Sequence, residues 1–217
     1  SGPGGYVAAI RGAQLGLKVA IIEKEALGGI CLNWGCIPTK SFLRSAEVLK
    51  IIKGSERYGI KSKLGDIDIR EVVKRSRSIA KKLSSGVEYL LKKNKVVIFD
   101  GEASFKTSKS IVITSKNNVV KEISSTNICI ASGGRPREIS GVPNSSDVWF
   151  YKEALQVDNI PKKLLIVGSG AIGVEFASFF AQMGSEVSLL ESKPSILPNE
   201  DLEVSNFVEK QFLNRGI

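Results

Sequence analysis

The chain has 217 residues, a net charge of +9 and 42% hydrophobic residues, a globular composition that excludes a disordered, collagenous or disulfide-scaffold protein. No apolar run reaches the ~18 residues of a membrane span; the best candidate, Ala171 to Ala181, is broken by Glu175. The histidine count is zero, so the chain supplies no imidazole base and no His-bound metal, and no metal site is expected.

The first residues, SGPGGYVAAIRGAQLG, lack the charged start and apolar block of a signal peptide. They read instead as a glycine-rich turn feeding a helix from Tyr6 to Leu15, followed by a β-run Lys18 to Ile22 that ends at Glu23. Such a turn normally follows a strand. The expectation is that a first strand and first glycine have been cut off, leaving Gly2 and Gly5 as the second and third glycines of a G-x-G-x-x-G. Residues 24–36 read as a loop with Gly28, Gly29 and Gly35 around two cysteines. An amphipathic helix is expected from about Pro38 to Lys53, with Phe42, Leu43, Ala46, Leu49 and Ile52 inward.

Much of the positive charge falls between Arg70 and Lys95. There Ile69, Val72, Val73, Ala80, Leu83, Val87, Leu90 and Leu91 recur at helical spacing, so the basic residues form the wet face of a long helix. No aromatic residues are interleaved to stack bases, which argues against a nucleic-acid partner. Four short β-runs follow: Val96–Phe99, Ile111–Thr114, Val119–Ile123 and Ile128–Ala131, with a hairpin turn at Asn117-Asn118. They read as a small antiparallel meander. Residues 132–147 are rich in Gly, Pro and Ser and suit a domain boundary.

A second unit then repeats the opening. Leu164 to Val167 is a buried strand, Gly168-Ser-Gly170-Ala171-Ile172-Gly173 a complete turn, Val174 to Met183 a helix, and Val187 to Leu190 a strand ending at Glu191. A last helix starts near Asp201. The fold class is α/β: two Rossmann-like dinucleotide-binding units, residues 1–147 and 148–217, with a β-meander inserted in the first and both ends truncated.

In such turns the first glycine permits the bend, the second lets backbone N–H groups approach a pyrophosphate, and the third lets helix and strand pack closely. The phosphate sits at the helix N-terminus, where unpaired donors favour negative charge. Glu23 lies 18 positions past Gly5, and Glu191 the same distance past Gly173. A carboxylate there accepts hydrogen bonds from ribose hydroxyls and repels a 2′-phosphate, so Glu191 favours NAD over NADP, with Lys193 nearby weakening the argument slightly. Two such units in one chain suggest electron transfer between two nucleotide cofactors.

Cys31 and Cys36 stand at C-x4-C spacing, and Cys129 lies in an apolar run that suits an inert core residue. A structural zinc needs four ligands, and neither histidine nor a second cysteine pair is present. Two buried thiols or a redox dithiol remain, and the dithiol is preferred because a glycine-rich loop seldom supplies a core. Pro38 suits the first turn of the next helix, which puts Cys36 at or just before a helix N-terminus, where negative charge is favoured. Lys40 follows on the same face.

The run Leu27-Gly-Gly-Ile-Cys-Leu-Asn-Trp-Gly-Cys-Ile-Pro-Thr-Lys40, with ICIASGGRP and the two glycine turns in the same order, resembles the pyridine nucleotide–disulfide oxidoreductase family, and within it the lipoamide-oxidising branch. The resemblance implies FAD on the first unit and NAD on the second. The implied FAD contacts are Gly2, Pro3, Gly5, Glu23, Lys24, Gly29, Ile30, Cys31, Cys36, Lys40, Ala103 beside the adenine, and Ser132 with Gly133, where the family reads Ala-Thr-Gly. The implied NAD contacts are Gly168, Gly170, Ala171, Ile172, Gly173 and Glu191. Cys31 would exchange with a substrate dithiol, Cys36 would face the flavin, and Lys40 would pair with Glu175. Implied partners are lipoyl groups of 2-oxo acid dehydrogenase complexes and a second subunit in a homodimer, in the cytoplasm, with no membrane. The family's C-terminal His base is absent, so this piece alone is expected to turn over little lipoamide. Alternatives are a glutathione- or mercuric-reductase type, against which Glu191 argues where NADP is used, and a non-catalytic nucleotide-binding module.

Overall fold

The computed structural model describes residues 1–137, 139–143 and 145–217, so Glu138 and Asn144 of the expected boundary lie outside the described residues. The chain is mixed α/β and divides into two units, Ser1–Pro38 with Arg77–Val148, and Thr39–Ser76 with Trp149–Ile217. Among the described residues no helix is long and apolar enough to cross a membrane.

In the first unit, α1 (Pro3–Gln14) opens with proline in its first turn, behind Gly2 in extended conformation. It buries Ala9, with Tyr6, Ile10 and Ala13 partly covered. Strand β1 (Ala20–Glu23) follows. The segment expected as a loop over 24–36 contains a short helix, α2 (Gly29–Trp34), because no breaker stands between Gly29 and Gly35. Cys36 is the first residue of α3 (Cys36–Lys53), where the dipole argument placed it, and Pro38 lies in the first turn. The long basic helix α4 (Ile69–Lys93) forms as expected.

The buried stripe of α4 runs through Ile69, Ser76, Ala80, Val87 and Leu91, alternating steps of seven and four that keep one face. Leu83 and Leu90, expected inside, are exposed. Each lies one position, about 100° of helix, from this stripe, and the small Ser84 takes the inner place instead.

Strand β2 (Val97–Asp100) pairs in parallel with β1, from Ala20↔Val97 to Glu23↔Asp100. This corrects its assignment to the antiparallel meander. A parallel partner needs a long crossover, and the helices between the two strands supply it. The meander is β3 (Glu102–Thr107), β4 (Ser110–Thr114) and β5 (Val120–Ser124), with Asn118 at φ 57° in the β4–β5 turn. Strand β3 escaped the sequence reading because every residue of it is exposed and no alternation shows. The run Ile128–Ala131 is not a strand. A β-forming run becomes one only beside a hydrogen-bonding neighbour, and this run passes by the α1 turn, with Ala131 against Gly5. Cys129 within it is exposed, not a core residue.

The second unit carries α5 (Tyr151–Ala154), β6 (Lys163–Val167), α6 (Ala171–Met183), β7 (Glu186–Leu190) and α7 (Leu202–Leu213). β6 and β7 pair in parallel from Lys163↔Glu186 to Val167↔Leu190. Asp201 caps α7 by accepting from the Glu203 N–H at 2.8 Å. Phe42 and Leu49 of α3, Ile69 of α4, and Phe176, Phe179 and Phe180 of α6 form the core. The Phe42 and Phe179 rings lie 4.6 Å apart between centroids, and Phe179 and Phe180 meet edge to face at 5.1 Å. Deleting the fully buried Phe42 ring leaves a cavity that α6 cannot close. Phe42→Ala is therefore expected to lower the unfolding free energy of this unit by about 3–5 kcal/mol, read from urea titrations of far-ultraviolet circular dichroism.

Candidate functional site

Each unit carries one glycine turn, and the two are built alike. Gly2 caps α1 at φ −66°, ψ −173°, and Gly170 caps α6 at φ −66°, ψ 179°; neither helix start has a side-chain cap. The first N–H groups of each helix therefore remain available to an anion. Gly168 bends at φ 98°, and a Cβ on it or on Gly170 would meet nothing within 4 Å, so the turn is open on its outer side. Gly173 is the opposite case: a Cβ there would lie 1.9 Å from the Gly168 carbonyl oxygen. Only glycine lets α6 come this close to the end of β6.

The carboxylates close both turns. Glu191 accepts from the Ser169 hydroxyl at 2.7 Å and the Ser169 N–H at 3.0 Å on one oxygen. Its other oxygen accepts from the N–H groups of Ser192 at 2.8 Å and Lys193 at 3.0 Å. The Ser169 hydroxyl and N–H, then the Lys193 N–H, pull its pKa down to about 2. Glu23 repeats the pattern: it accepts from the Ser1 hydroxyl at 2.7 Å, the Ser1 nitrogen at 2.8 Å and the Glu25 N–H at 2.8 Å. Burial alone would raise this carboxyl, but the Ser1 nitrogen, the Glu25 N–H and the Ser1 hydroxyl together hold it below the ordinary value. Both pairs are 22 residues apart. Ser1 and Ser169 escaped the sequence reading; the available signal was a serine before the second glycine in both turns.

The remaining expected residues of the first unit group around its turn. The Gly28 N–H donates to Ser1 O at 3.1 Å, which sets the start of α2 against the turn. Lys24 pairs with Glu102 at 2.8 Å, tying the end of β1 to the strand that carries Ala103. Ala103 itself is exposed and pairs across to Ile113. Ser132 and Gly133 are exposed in an irregular segment, just past the Ala131 that lies against Gly5. In the second unit Ala171 and Ile172 open α6, with Ile172 exposed.

The cysteine pair is positioned by two helices. Cys31 is half-buried on α2 and Cys36 is exposed at the start of α3; both are thiols in this structure. Gly35 between them folds back tightly, since a Cβ on it would lie 3.1 Å from Ile30 O and 3.2 Å from Cys31 Cα. A side chain there would need the Ile30–Cys31 backbone to give by a few tenths of an ångström. Asn33 closes α2 on itself, its amide donating to Leu27 O at 2.9 Å and Gly29 O at 3.0 Å. From α4, the Ser84 hydroxyl donates to Leu27 O at 2.7 Å, Arg77 donates to Asn33 O, and its guanidinium lies 4.2 Å above the Trp34 ring. Nothing in the sequence signals Arg77, which is 44 residues from its partner.

In the second unit Lys40 of α3 pairs with Glu175 of α6 at 3.0 Å. The Glu175 carboxylate, 29% exposed, sits in an otherwise apolar stretch of helix and this ammonium answers it.

The family model for pyridine nucleotide-disulphide oxidoreductases matches residues 1–217. The chain is 50% identical over 217 residues to a dihydrolipoyl dehydrogenase of Zymomonas mobilis and 46% identical over 234 residues to one of Rhizobium etli. All of the chain is matched in both, against 47% and 48% of those proteins, so the chain spans about half the length of the curated relatives it matches. Among solved structures it superposes on LpdA of Mycobacterium tuberculosis with a TM-score of 0.88 at 24% identity, covering 100% of this chain and 49% of that one, a likeness of fold. It also superposes on the flavoprotein disulfide reductase RclA of Escherichia coli with a TM-score of 0.83 at 27% identity, covering 99% of this chain and 46% of that one. Two glycine turns closed by matched carboxylates, a folded-back cysteine pair and a family match over the whole length agree: the chain belongs to the pyridine nucleotide-disulphide oxidoreductase family.

Proposed function

We propose that this chain is the FAD- and NAD-binding part of a dihydrolipoyl dehydrogenase, with residues 1–147 holding FAD and residues 148–217 holding NAD. The observation that carries the reading is the C-x4-C segment, folded back at Gly35 and set against the first nucleotide turn through the Gly28–Ser1 hydrogen bond. The named relatives at 50% and 46% identity support the lipoamide branch.

The residues present fit both cofactors. Uncapped helix starts behind glycine turns suit pyrophosphates, and ionised carboxylates suit ribose hydroxyls. When bound, FAD accepts an electron pair from the dithiol and NAD+ carries it off as hydride. The chain's own chemistry is thiol–disulfide exchange. A substrate thiolate attacks Sγ of Cys31 in the oxidised pair; a new S–S bond forms, the Cys31–Cys36 bond breaks, and Cys36 leaves as a thiolate. The second substrate thiol then attacks its own sulfur in the mixed disulfide and releases Cys31, leaving the substrate oxidised and the pair reduced by two electrons. The N-terminal end of α3 favours negative charge on Cys36, and Lys40, held by Glu175, places a cation four residues further along. The proposal extends to lipoyl groups of 2-oxo acid dehydrogenase complexes as partners, to a homodimer, and to a cytoplasmic setting.

The test is Cys36→Ser in the full-length protein. Wild type treated with NADH should develop the long-wavelength absorbance of a thiolate beside flavin, and the variant should lack it and lose dihydrolipoamide oxidation. A protein without flavin absorbance, or a variant that keeps the band, would overturn the reading.

Glu191 gives a second expectation. Its folded pKa of about 2 lies below the ordinary carboxylate value, so what it contributes is present above that value and fades only as pH falls toward 2. NADH binding should therefore carry no Glu191-dependent change between pH 5 and 9. Glu191→Gln should weaken NADH binding about tenfold, the order of a lost hydrogen bond to a charged group, and narrow the preference over NADPH, both read by fluorescence titration.

A further inference from the structure

Helix α4 holds α2 at both ends. Ser84 donates to the Leu27 carbonyl just before α2, and Arg77, seven residues earlier on the same face, reaches the other end. There its guanidinium does two things: it donates to the Asn33 carbonyl, one of the last carbonyls of α2, and it lies 4.2 Å above the Trp34 ring. A helix C-terminus carries partial negative charge and an indole face is electron-rich, so a cation suits both. Arg77 Nε is buried with no hydrogen-bond partner among the described residues, and burial lowers the guanidinium pKa. The protein keeps a half-buried, incompletely satisfied cation here, and its contacts fall on the stretch between the two sulfurs. Asn33 is two residues past Cys31, and Trp34 two before Cys36.

We infer that Arg77, acting through Trp34 and the Asn33 carbonyl, is a positioning residue that holds the C-x4-C segment closed and so favours the Cys31–Cys36 disulfide over the dithiol. The inference rests on the redox role proposed above. Forming the bond requires both sulfurs to meet, and a stretch pinned between them loses less freedom on closure than a loose one. Trp34 is then a seat for the cation, beyond its apolar area.

The experiment equilibrates the full-length protein with mixtures of reduced and oxidised dithiothreitol. One protein S–S bond forms as one dithiothreitol S–S bond breaks, with two electrons and two protons exchanged between them. The disulfide fraction is read by alkylation and peptide mass spectrometry, which separates Cys129 from the pair. Arg77→Met should shift the equilibrium toward the dithiol on the order of fivefold, the scale of one partly desolvated cation–π contact. Trp34→Leu should shift it the same way, and the double variant should go no further than the larger single effect, because the two residues act as one contact. Arg77→Lys, which keeps a cation over the ring, should recover most of the wild-type value. It also serves as the second variant should Arg77→Met not fold: equal equilibria for Arg77→Lys and Trp34→Leu would count against the contact. A shift under twofold in Arg77→Met, a shift toward disulfide, or fully additive effects would overturn the inference and leave the proposed function standing. Wild-type protein that forms no Cys31–Cys36 disulfide at any dithiothreitol ratio would overturn both.

Discussion

In each unit a carboxylate at the tip of a strand reaches back across the preceding glycine turn to a serine. Glu191 takes the hydroxyl and N–H of Ser169, and Glu23 takes the hydroxyl and backbone nitrogen of Ser1. This tie fixes three things together: the end of the strand, the conformation of the turn and the ionised state of the acid. A turn whose glycines have no side chains to lock them would otherwise depend on backbone packing alone. The close approach at Gly173 supplies that packing in the second unit, and the carboxylate supplies the polar part. Because each acid is already ionised and oriented, a ribose would meet acceptors that need no rearrangement, and ordering cost is what a pre-set site avoids.

The cysteine pair depends on a different kind of constraint. Its two sulfurs sit on separate helices, Cys31 on the short α2 and Cys36 at the start of the longer α3, and helix geometry alone would let residues five apart diverge. Gly35 removes the side chain that would hold the chains apart, while Asn33 and Ser84 bond the Leu27 carbonyl just before α2 and Arg77 bonds the Asn33 carbonyl, one of those a short helix leaves open at its C-terminal end. A six-residue helix has almost no stability of its own. Its shape is imposed by contacts from α4, far away in sequence.

That distance in sequence decides what could be read without coordinates. The glycine turns, both acids, the cysteine spacing and the Lys40–Glu175 pair lie in local motifs or follow from a resemblance carried by contiguous residues. The parallel place of β2, the exposed Leu83 and Leu90, and the irregular course of Ile128–Ala131 depend on which neighbour each run meets. Val97–Asp100 and Ile128–Ala131 look equally strand-like as sequence. Only the first has β1 alongside to accept its hydrogen bonds. On α4 the apolar positions allow two adjacent stripes, and the small residues Ala80 and Ser84 select the one that lets the first unit's core and α2 come close. Arg77 was invisible for the same reason, an ordinary surface residue type until a partner 44 positions away is placed beside it; the two serines left only the repeated serine before the second glycine as a trace.

The Lys40–Glu175 pair shows how little of this arrangement concerns stability. The ammonium is 63% exposed and the carboxylate 29%, and pairs in such water-accessible settings contribute about 0–1 kcal/mol. The aromatic contact of Phe42 with Phe179, close to it on the same two helices, stabilises the unit far more. An ion pair of small energetic value beside a core that needs no help is better understood as orientation. Glu175 fixes where the Lys40 charge stands, so a flexible side chain that would sample many rotamers presents its cation at one place along α3. The carboxylate in turn is answered by the ammonium, since α6 itself carries no cation. Each half of the pair makes the other tolerable. What results is a directed positive charge on the helix that begins at Cys36, the group on which the proposed exchange leaves its negative charge.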